Sequence, residues 1–186
     1  YKMIEILKDS QALLEGHFFF FFLKHSNRYV QCAKVLRFPD KAEAILKPVA
    51  EKLKEMEIDL LVGPAMGGII VAYELGRQLH KEAIFTERVD GKMELRRGFE
   101  IKPGQRIVIC EDVVTTAKSS LEVKALLESM GGEVIALASI IDRTTGNVDI
   151  DVISSIKLEI ETYDPDDCPM CRQGIEYIKP GSRNIK

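Results

Sequence analysis

The chain has 186 residues, 46% hydrophobic and 30% charged, the range of an ordinary globular protein, which argues against wholesale disorder. Its formal net charge of −3 supplies no overall attraction to nucleic acid, so any polyanion site must come from local charge. Four cysteines are too few for a disulfide scaffold, the apolar run Phe18 to Leu23 is too short to span a bilayer, and no signal-peptide pattern is visible, so a soluble, cytoplasmic protein is expected.

In chain order, Ile4, Ile6, Leu7, Leu13 and Leu14 predict a helix over residues 1–16, with Gly16 able to end it. The five phenylalanines Phe18 to Phe22 have no period, and an exposed run of this kind is an aggregation hazard. Two readings stay open there: a genuine buried strand, or a replacement of the residues that belong in the segment. Pro39 and Asp40 mark a helix start, with Ala42, Ile45, Leu46, Val49, Ala50 and Leu53 at helical spacing. Leu60 to Val62 is a short buried strand leading into Gly63-Pro64-Ala65-Met66-Gly67-Gly68 and a helix from about Ile69 to Leu79.

Ala83 to Phe85 is a further strand. Residues 87–104 carry Arg88, Lys92, Arg96 and Arg97 among three glycines and predict a mobile hairpin or loop. Ile107 to Cys110 is a core strand, Leu121 to Met130 a helix stopped by Gly131-Gly132, and Val134 to Ile141 a strand buried on both faces. Alternating strands and helices give an α/β fold with a mostly parallel sheet and no internal repeat.

Chemistry concentrates in Arg106 to Ser120. An apolar strand ends in Glu111 and Asp112, at the sheet edge where open α/β folds bind ligands. Carboxylates can accept hydrogen bonds from sugar hydroxyls, and the N–H groups of a turn at a helix N-terminus can hold a phosphate. Taken singly, the carboxylates are a solvated strand end and Thr115, Thr116 and Ser119 a helix cap. The full order Glu111-Asp112-Val113-Val114-Thr115-Thr116-Ala117-Lys118-Ser119 is harder to dismiss.

That pattern resembles the phosphoribosyl pyrophosphate (PRPP) signature of the type I phosphoribosyltransferases. The resemblance implies that Glu111 and Asp112 hold the ribose hydroxyls, that the backbone from Val114 to Ser119, with the Thr115, Thr116 and Ser119 hydroxyls, cradles the 5′-phosphate, and that Val113 belongs to the same PRPP-binding stretch. The family usually has glycine where this chain has Ala117, and glycine allows close approach and positive φ. Residues 63–68 resemble the family's pyrophosphate loop, formed here by Ala65, Met66, Gly67 and Gly68, with the Ala65–Met66 bond as its unusual peptide. The basic stretch resembles the flexible loop that closes over pyrophosphate. Arg88 and Lys92 match its spacing, although the histidine of many orotate enzymes is missing. Arg88, Lys92 and Asp112 are the implied catalytic residues.

Over its whole length the chain resembles the orotate phosphoribosyltransferases. Leu14 to Phe18 and Lys24 to Tyr29 look like their N-terminal substrate segment, with Lys24 at the base. Ser139 to Arg143 resembles the strand end whose arginine meets the orotate carboxylate, and Thr115 matches the hydroxyl near the base. Relatives place leucine, serines or lysine, and glycine where Phe19 to Leu23 stand here.

The resemblance implies one phosphoribosyltransferase domain over residues 1–186, with a small hood from about residues 1–35 and the C-terminal tail. It also implies Mg²⁺ as cofactor, without direct protein ligands, and a homodimer with shared active sites. Membrane and nucleic acid are not expected partners. A purine-type phosphoribosyltransferase and a non-catalytic PRPP-binding regulator are the alternatives. Cys168-Pro169-Met170-Cys171 is a single CxxC without a second pair, and His17, His25 and His80 are scattered along the sequence, so a reduced structural turn is expected.

Overall fold

The computed structural model describes residues 2–20 and 24–180. In chain order it contains α1 (Lys2–Asp9), β1 (Leu13–Phe19), β2 (His25–Val30), α2 (Ala33–Leu36), α3 (Pro39–Leu53), β3 (Leu60–Pro64), α4 (Gly67–Leu79) and β4 (Glu82–Val89). There follow β5 (Lys92–Glu94), β6 (Arg106–Val114), α5 (Lys118–Ser129), β7 (Glu133–Asp142), β8 (Val152–Lys157), β9 (Thr162–Tyr163) and α6 (Pro169–Arg172). The chain divides into two compact units, one of Tyr1–Val35 with Glu159–Lys186 and one of Leu36–Leu158. Among the described residues no helix is long and apolar enough to cross a membrane.

The larger unit is built on a six-stranded sheet in the order β5-β4-β3-β6-β7-β8. Only the β4–β5 pair is antiparallel. Strands β3 and β7 are apolar almost throughout because both faces of a parallel sheet are covered. Pro39 opens α3 at a position where its missing N–H costs nothing, and the predicted face from Ala42 to Leu53 is the buried one. Helix α4 packs on β3 and β6. Leu60, Ile107, Ile109, Val123, Leu127 and Leu137 lie in one buried cluster.

Three boundaries differ from the sequence reading. Strand β6 continues past Cys110 to Val114, because its ladder with β7 runs on to the pair Val114 and Asp142. Helix α5 starts at Lys118, a turn that is polar and therefore outside the apolar pattern. Strand β8 was not foreseen, since Ser154 and Ser155 dilute its alternation. Residues 87–104 form an ordered hairpin turned at Asp90-Gly91, whose φ values of 50° and 80° match the twist of paired strands. Its apolar residues dock: Met93 is buried, Leu95, Phe99 and Ile101 pack on the core, and Phe85 meets Phe99 at 5.3 Å.

The smaller unit holds the antiparallel sheet β1-β2-β9. Its helix is shorter than predicted. Gln11 takes φ 64° and the Ala12 N–H donates to the Leu7 carbonyl at 2.8 Å, so the helix ends near Asp9. Leu13 and Leu14 instead pair with Val30 and Tyr29. Phe18 and Phe19 belong to β1, Phe18 is buried, and Phe19 packs on Tyr177 at 5.3 Å. Phe21 and Phe22 lie outside the described residues. Cys32 sits in a turn before α2. The histidines are not all scattered: the β1–β2 hairpin sets His17 beside His25, and both lie next to Cys168 and Cys171.

Candidate active site

Strands β3 and β6 are neighbours, but β3 leads through α4 to β4 on one side and β6 leads through α5 to β7 on the other. Loops that part in this way leave a crevice at the carboxyl ends of the strands, where open α/β sheets take ligands. The crevice lies between residues 65–68 and 111–119.

The first loop approaches the second closely. The Ala65–Met66 peptide bond is cis. A Cβ on Gly67 would lie 2.4 Å from Asp112 Oδ2, and one on Gly68 would lie 2.5 Å from the Cys110 carbonyl oxygen. A side chain at Gly68 would meet the backbone of β6, and one at Gly67 would displace either the loop or the Asp112 carboxylate.

The second loop carries the charge. The Val113 N–H donates to Asp112 Oδ1 at 2.8 Å, which holds that carboxylate in place. Glu111 accepts from the Ser120 hydroxyl at 3.3 Å. Burial, reinforced by the neighbouring Asp112 charge, pushes the Glu111 carboxyl up to about 7, with the Ser120 bond opposing. Thr115, Thr116, Lys118 and Ser119 are exposed around the turn. Among the described residues no acceptor meets the backbone N–H groups of Thr116, Ala117 or Ser119. Orphan donors at the start of a helix are an anion site. Ala117 caps α5 at φ 62°, ψ 12°, the left-handed region that favours glycine, while its methyl group lies in the buried core cluster.

The basic residues of the hairpin divide into two kinds. Arg88 is tied to α5, donating to Glu122 at 2.9 and 3.2 Å and to Ser119 Oγ at 3.5 Å. Arg97 forks onto Glu87 through two bonds of 2.8 Å. Among the described residues Lys92 and Arg96 make no ion pair, and both are exposed. The pairs of Arg88 and Arg97 join residues 34 and 10 positions apart, which sequence spacing does not disclose.

Arg143 follows β7 and is fixed by its backbone N–H, which donates to the Val114 carbonyl at 2.8 Å. Its guanidinium is half-buried, and burial lowers its pKa. The adjacent Asp142 is engaged elsewhere, its Oδ1 accepting from the Thr144 N–H at 2.8 Å and hydroxyl at 2.6 Å. Among the described residues no carboxylate pairs with Arg143. A partly desolvated cation without a counter-ion is suited to an anionic ligand. Lys24 lies in the smaller unit and pairs with Asp164 at 2.5 Å.

Sequence reasoning gave Ser120 no role and missed Glu122. Ser120 lies directly after the recognised pattern and was within reach of it. Glu122 acts through Arg88 on a separate strand, and no local signal points to it.

The phosphoribosyl transferase domain model matches residues 34–167. The orotate phosphoribosyltransferase of Caldicellulosiruptor saccharolyticus is 47% identical over 185 residues, covering 98% of this chain and 97% of its own. Crystal structures with the same fold include orotate phosphoribosyltransferase from Aeropyrum pernix, with TM-score 0.72 and 22% identity over 84% of this chain and 93% of that one. Another is adenine phosphoribosyltransferase from Thermoanaerobacter pseudethanolicus, with TM-score 0.60 and 19% identity over 70% of this chain and 88% of that one.

Proposed function

The chain belongs to the phosphoribosyltransferase family, and on that premise we propose that it is an orotate phosphoribosyltransferase. It would transfer phosphoribose from PRPP to N1 of orotate, giving orotidine 5′-monophosphate and pyrophosphate. The observation that carries the choice of base is Arg143, fixed at the end of β6 by its backbone N–H and half-buried, with no carboxylate paired to it among the described residues. Orotate brings a carboxylate to meet it through a bidentate fork; a purine brings none. The near-full-length likeness to an orotate enzyme supports the same reading.

In this account the ionised Glu111 and Asp112 accept hydrogen bonds from the ribose hydroxyls. The N–H groups of Thr116, Ala117 and Ser119, with the Thr115, Thr116 and Ser119 hydroxyls, donate to the 5′-phosphate. Residues 65–68 face the pyrophosphate. Lys92, exposed and without an ion pair among the described residues, serves the charge that grows on pyrophosphate as the bond to the ribose breaks. Arg88 joins it if the Glu122 pair opens. Lys24, placed at the base by family resemblance, would first have to leave Asp164. No covalent nucleophile is required, because positioning and electrostatic stabilisation suffice.

The donor set fits magnesium. Glu111 and Asp112 are consecutive hard oxygen donors, and the Asp112 charge adds to the burial that raises the Glu111 pKa, a contribution that a nearby cation would relieve. Bound Mg²⁺ would neutralise pyrophosphate oxygens, held mainly by PRPP itself, with the two carboxylates acting through the ribose hydroxyls. A homodimer in which the exposed tip of one β4–β5 hairpin covers the neighbour's crevice completes the proposal.

The test is pyrophosphate release from PRPP and Mg²⁺ with a panel of bases. Release with orotate alone is the expected result. Release with adenine or hypoxanthine but not orotate would move the protein to the purine branch. PRPP binding without release for any base would make it a regulator.

A further inference from the structure

We infer that His17, His25, Cys168 and Cys171 form a structural zinc site that ties the β1–β2 hairpin to the C-terminal tail. The four side chains come from three places in the sequence. The β1–β2 pairing, with Phe18 opposite Ser26 and Phe19 opposite His25, brings the two histidines together. The tail is fixed to β1 on its other side, where the Ile178 N–H donates to the His17 carbonyl and the Phe19 N–H donates to the Ile178 carbonyl, both at 2.9 Å. That anchor returns residues 168–171 to the histidines. All four ligand atoms lie within 4.8 Å of one another.

The distances are those of a tetrahedron around one ion. Zinc bonds of about 2.05 Å to nitrogen and 2.3 Å to sulfur require N–S edges of about 3.6 Å. The observed separations are 3.5 Å for Cys168 Sγ to His17 Nε2, 3.7 Å for Cys171 Sγ to His17 Nε2 and 3.3 Å for Cys171 Sγ to His25 Nδ1. The His17 Nε2 to His25 Nδ1 distance of 2.7 Å is shorter than the tetrahedral N–N edge of about 3.4 Å, so this pair must part slightly to admit the ion.

Orientation supplies an independent argument. His17 Nδ1 lies 2.6 Å from the Ile175 carbonyl, which can only accept, so Nδ1 carries the proton. The Nε2 lone pair therefore faces the other three groups. A ring held by a backbone carbonyl, with its free nitrogen aimed at the centre, is the outer-shell arrangement of a metal-bound histidine. The cysteines are free and share no disulfide. They would bind as thiolates, each releasing its proton to solvent.

The site has a physical purpose in this unit. Residues 1–35 and 159–186 make a unit of about sixty residues from two distant pieces of chain, a size at which a small core commonly needs a staple. An ion held by His17 and His25 on one piece and Cys168 and Cys171 on the other closes that unit directly. Two nitrogen and two sulfur donors in a tetrahedron suit zinc, with iron as the rival ion.

The inference does not depend on the base that the enzyme takes. It is tested on the full chain by metal analysis after purification, and again after chelation under reducing conditions and return of zinc. One zinc per chain is expected, with a fall in melting temperature on chelation that zinc reverses. Cobalt(II) in place of zinc should give the absorption of a tetrahedral ion with thiolate ligands. The exposed Cys171→Ser should lose that spectrum and most of the metal. Fully reduced wild-type protein that takes up no zinc would overturn the inference, as would iron in its place or undiminished zinc in Cys171→Ser. The cobalt spectrum is read on wild-type protein, so the inference remains testable if a variant fails to fold.

Discussion

Gly67 comes so close to Asp112 that a Cβ on the glycine would stand 2.4 Å from Oδ2 of the carboxylate. This contact joins the loop after β3 to the end of β6, and Asp112 is held from the other side by the Val113 N–H. Gly67→Ala must therefore displace either the loop or the carboxylate. Misplacement of about 1 Å costs catalysis about 100-fold, and overpacking costs about 1–3 kcal/mol of stability. Steady-state kinetics with PRPP varied, together with chemical denaturation, should show a large loss of kcat/KM and a moderate loss of stability. Unchanged kcat/KM would mean that the contact is not part of the site.

The high pKa of Glu111 gives a pH signature. Buried beside Asp112, its carboxyl titrates at about 7 in the free protein. Ribose hydroxyls need an ionised acceptor, so kcat/KM for PRPP should rise with pH through about 7, and Glu111→Gln should remove that limb. The folded pKa lies above that of the unfolded chain, so the native state takes up the proton first. The stability contributed by Glu111 is therefore full below the ordinary carboxylate range and is lost as pH rises through about 7. Denaturant titrations at several pH values should show this decline in the wild type and its absence in Glu111→Gln.

Replacing Arg143 tests base binding apart from sugar binding. Hydrogen bonds to charged groups contribute about 1.5–3 kcal/mol, so Arg143→Ala should raise KM for orotate about 10- to 100-fold and leave KM for PRPP within about twofold. Arg143→Lys keeps the charge but loses the fork, and should recover only part of the loss. Equal rises in both KM values would show that Arg143 supports the fold and not the base.

Ala117 is the departure from the family's glycine, and the structure sets two effects against each other. Its left-handed φ of 62° costs about 1–2 kcal/mol for a residue with a Cβ. Its methyl group, however, is buried in the core, and glycine would also loosen the unfolded chain by about 0.4–1 kcal/mol. Ala117→Gly should shift stability by no more than about 1 kcal/mol, as read by denaturant unfolding. KM for PRPP should stay within about twofold, because the N–H groups of the turn are retained.

The central sheet was legible because β3, β7 and the Ile107–Cys110 part of β6 are buried apolar runs, with Gly63, Gly104 and Gly131-Gly132 close by. The carboxylates and the turn were legible because Glu111 to Ser119 are consecutive. What escaped was non-local or ambiguous. Leu13 and Leu14 satisfy a helix face as well as a strand, and only the partner strand decides. Glu122 reaches Arg88 across the sheet edge. His17 and His25 lie 151 and 146 residues from the cysteines they meet, so no spacing rule could join them.

Orotate transfer itself is read by mixing the protein with PRPP, Mg²⁺ and orotate and identifying the products by mass. Orotidine 5′-monophosphate and pyrophosphate should form in equal amounts, at a rate that falls with Arg143→Ala. Intact PRPP and orotate after prolonged incubation, under conditions where the protein is folded and binds PRPP, would contradict orotate transfer.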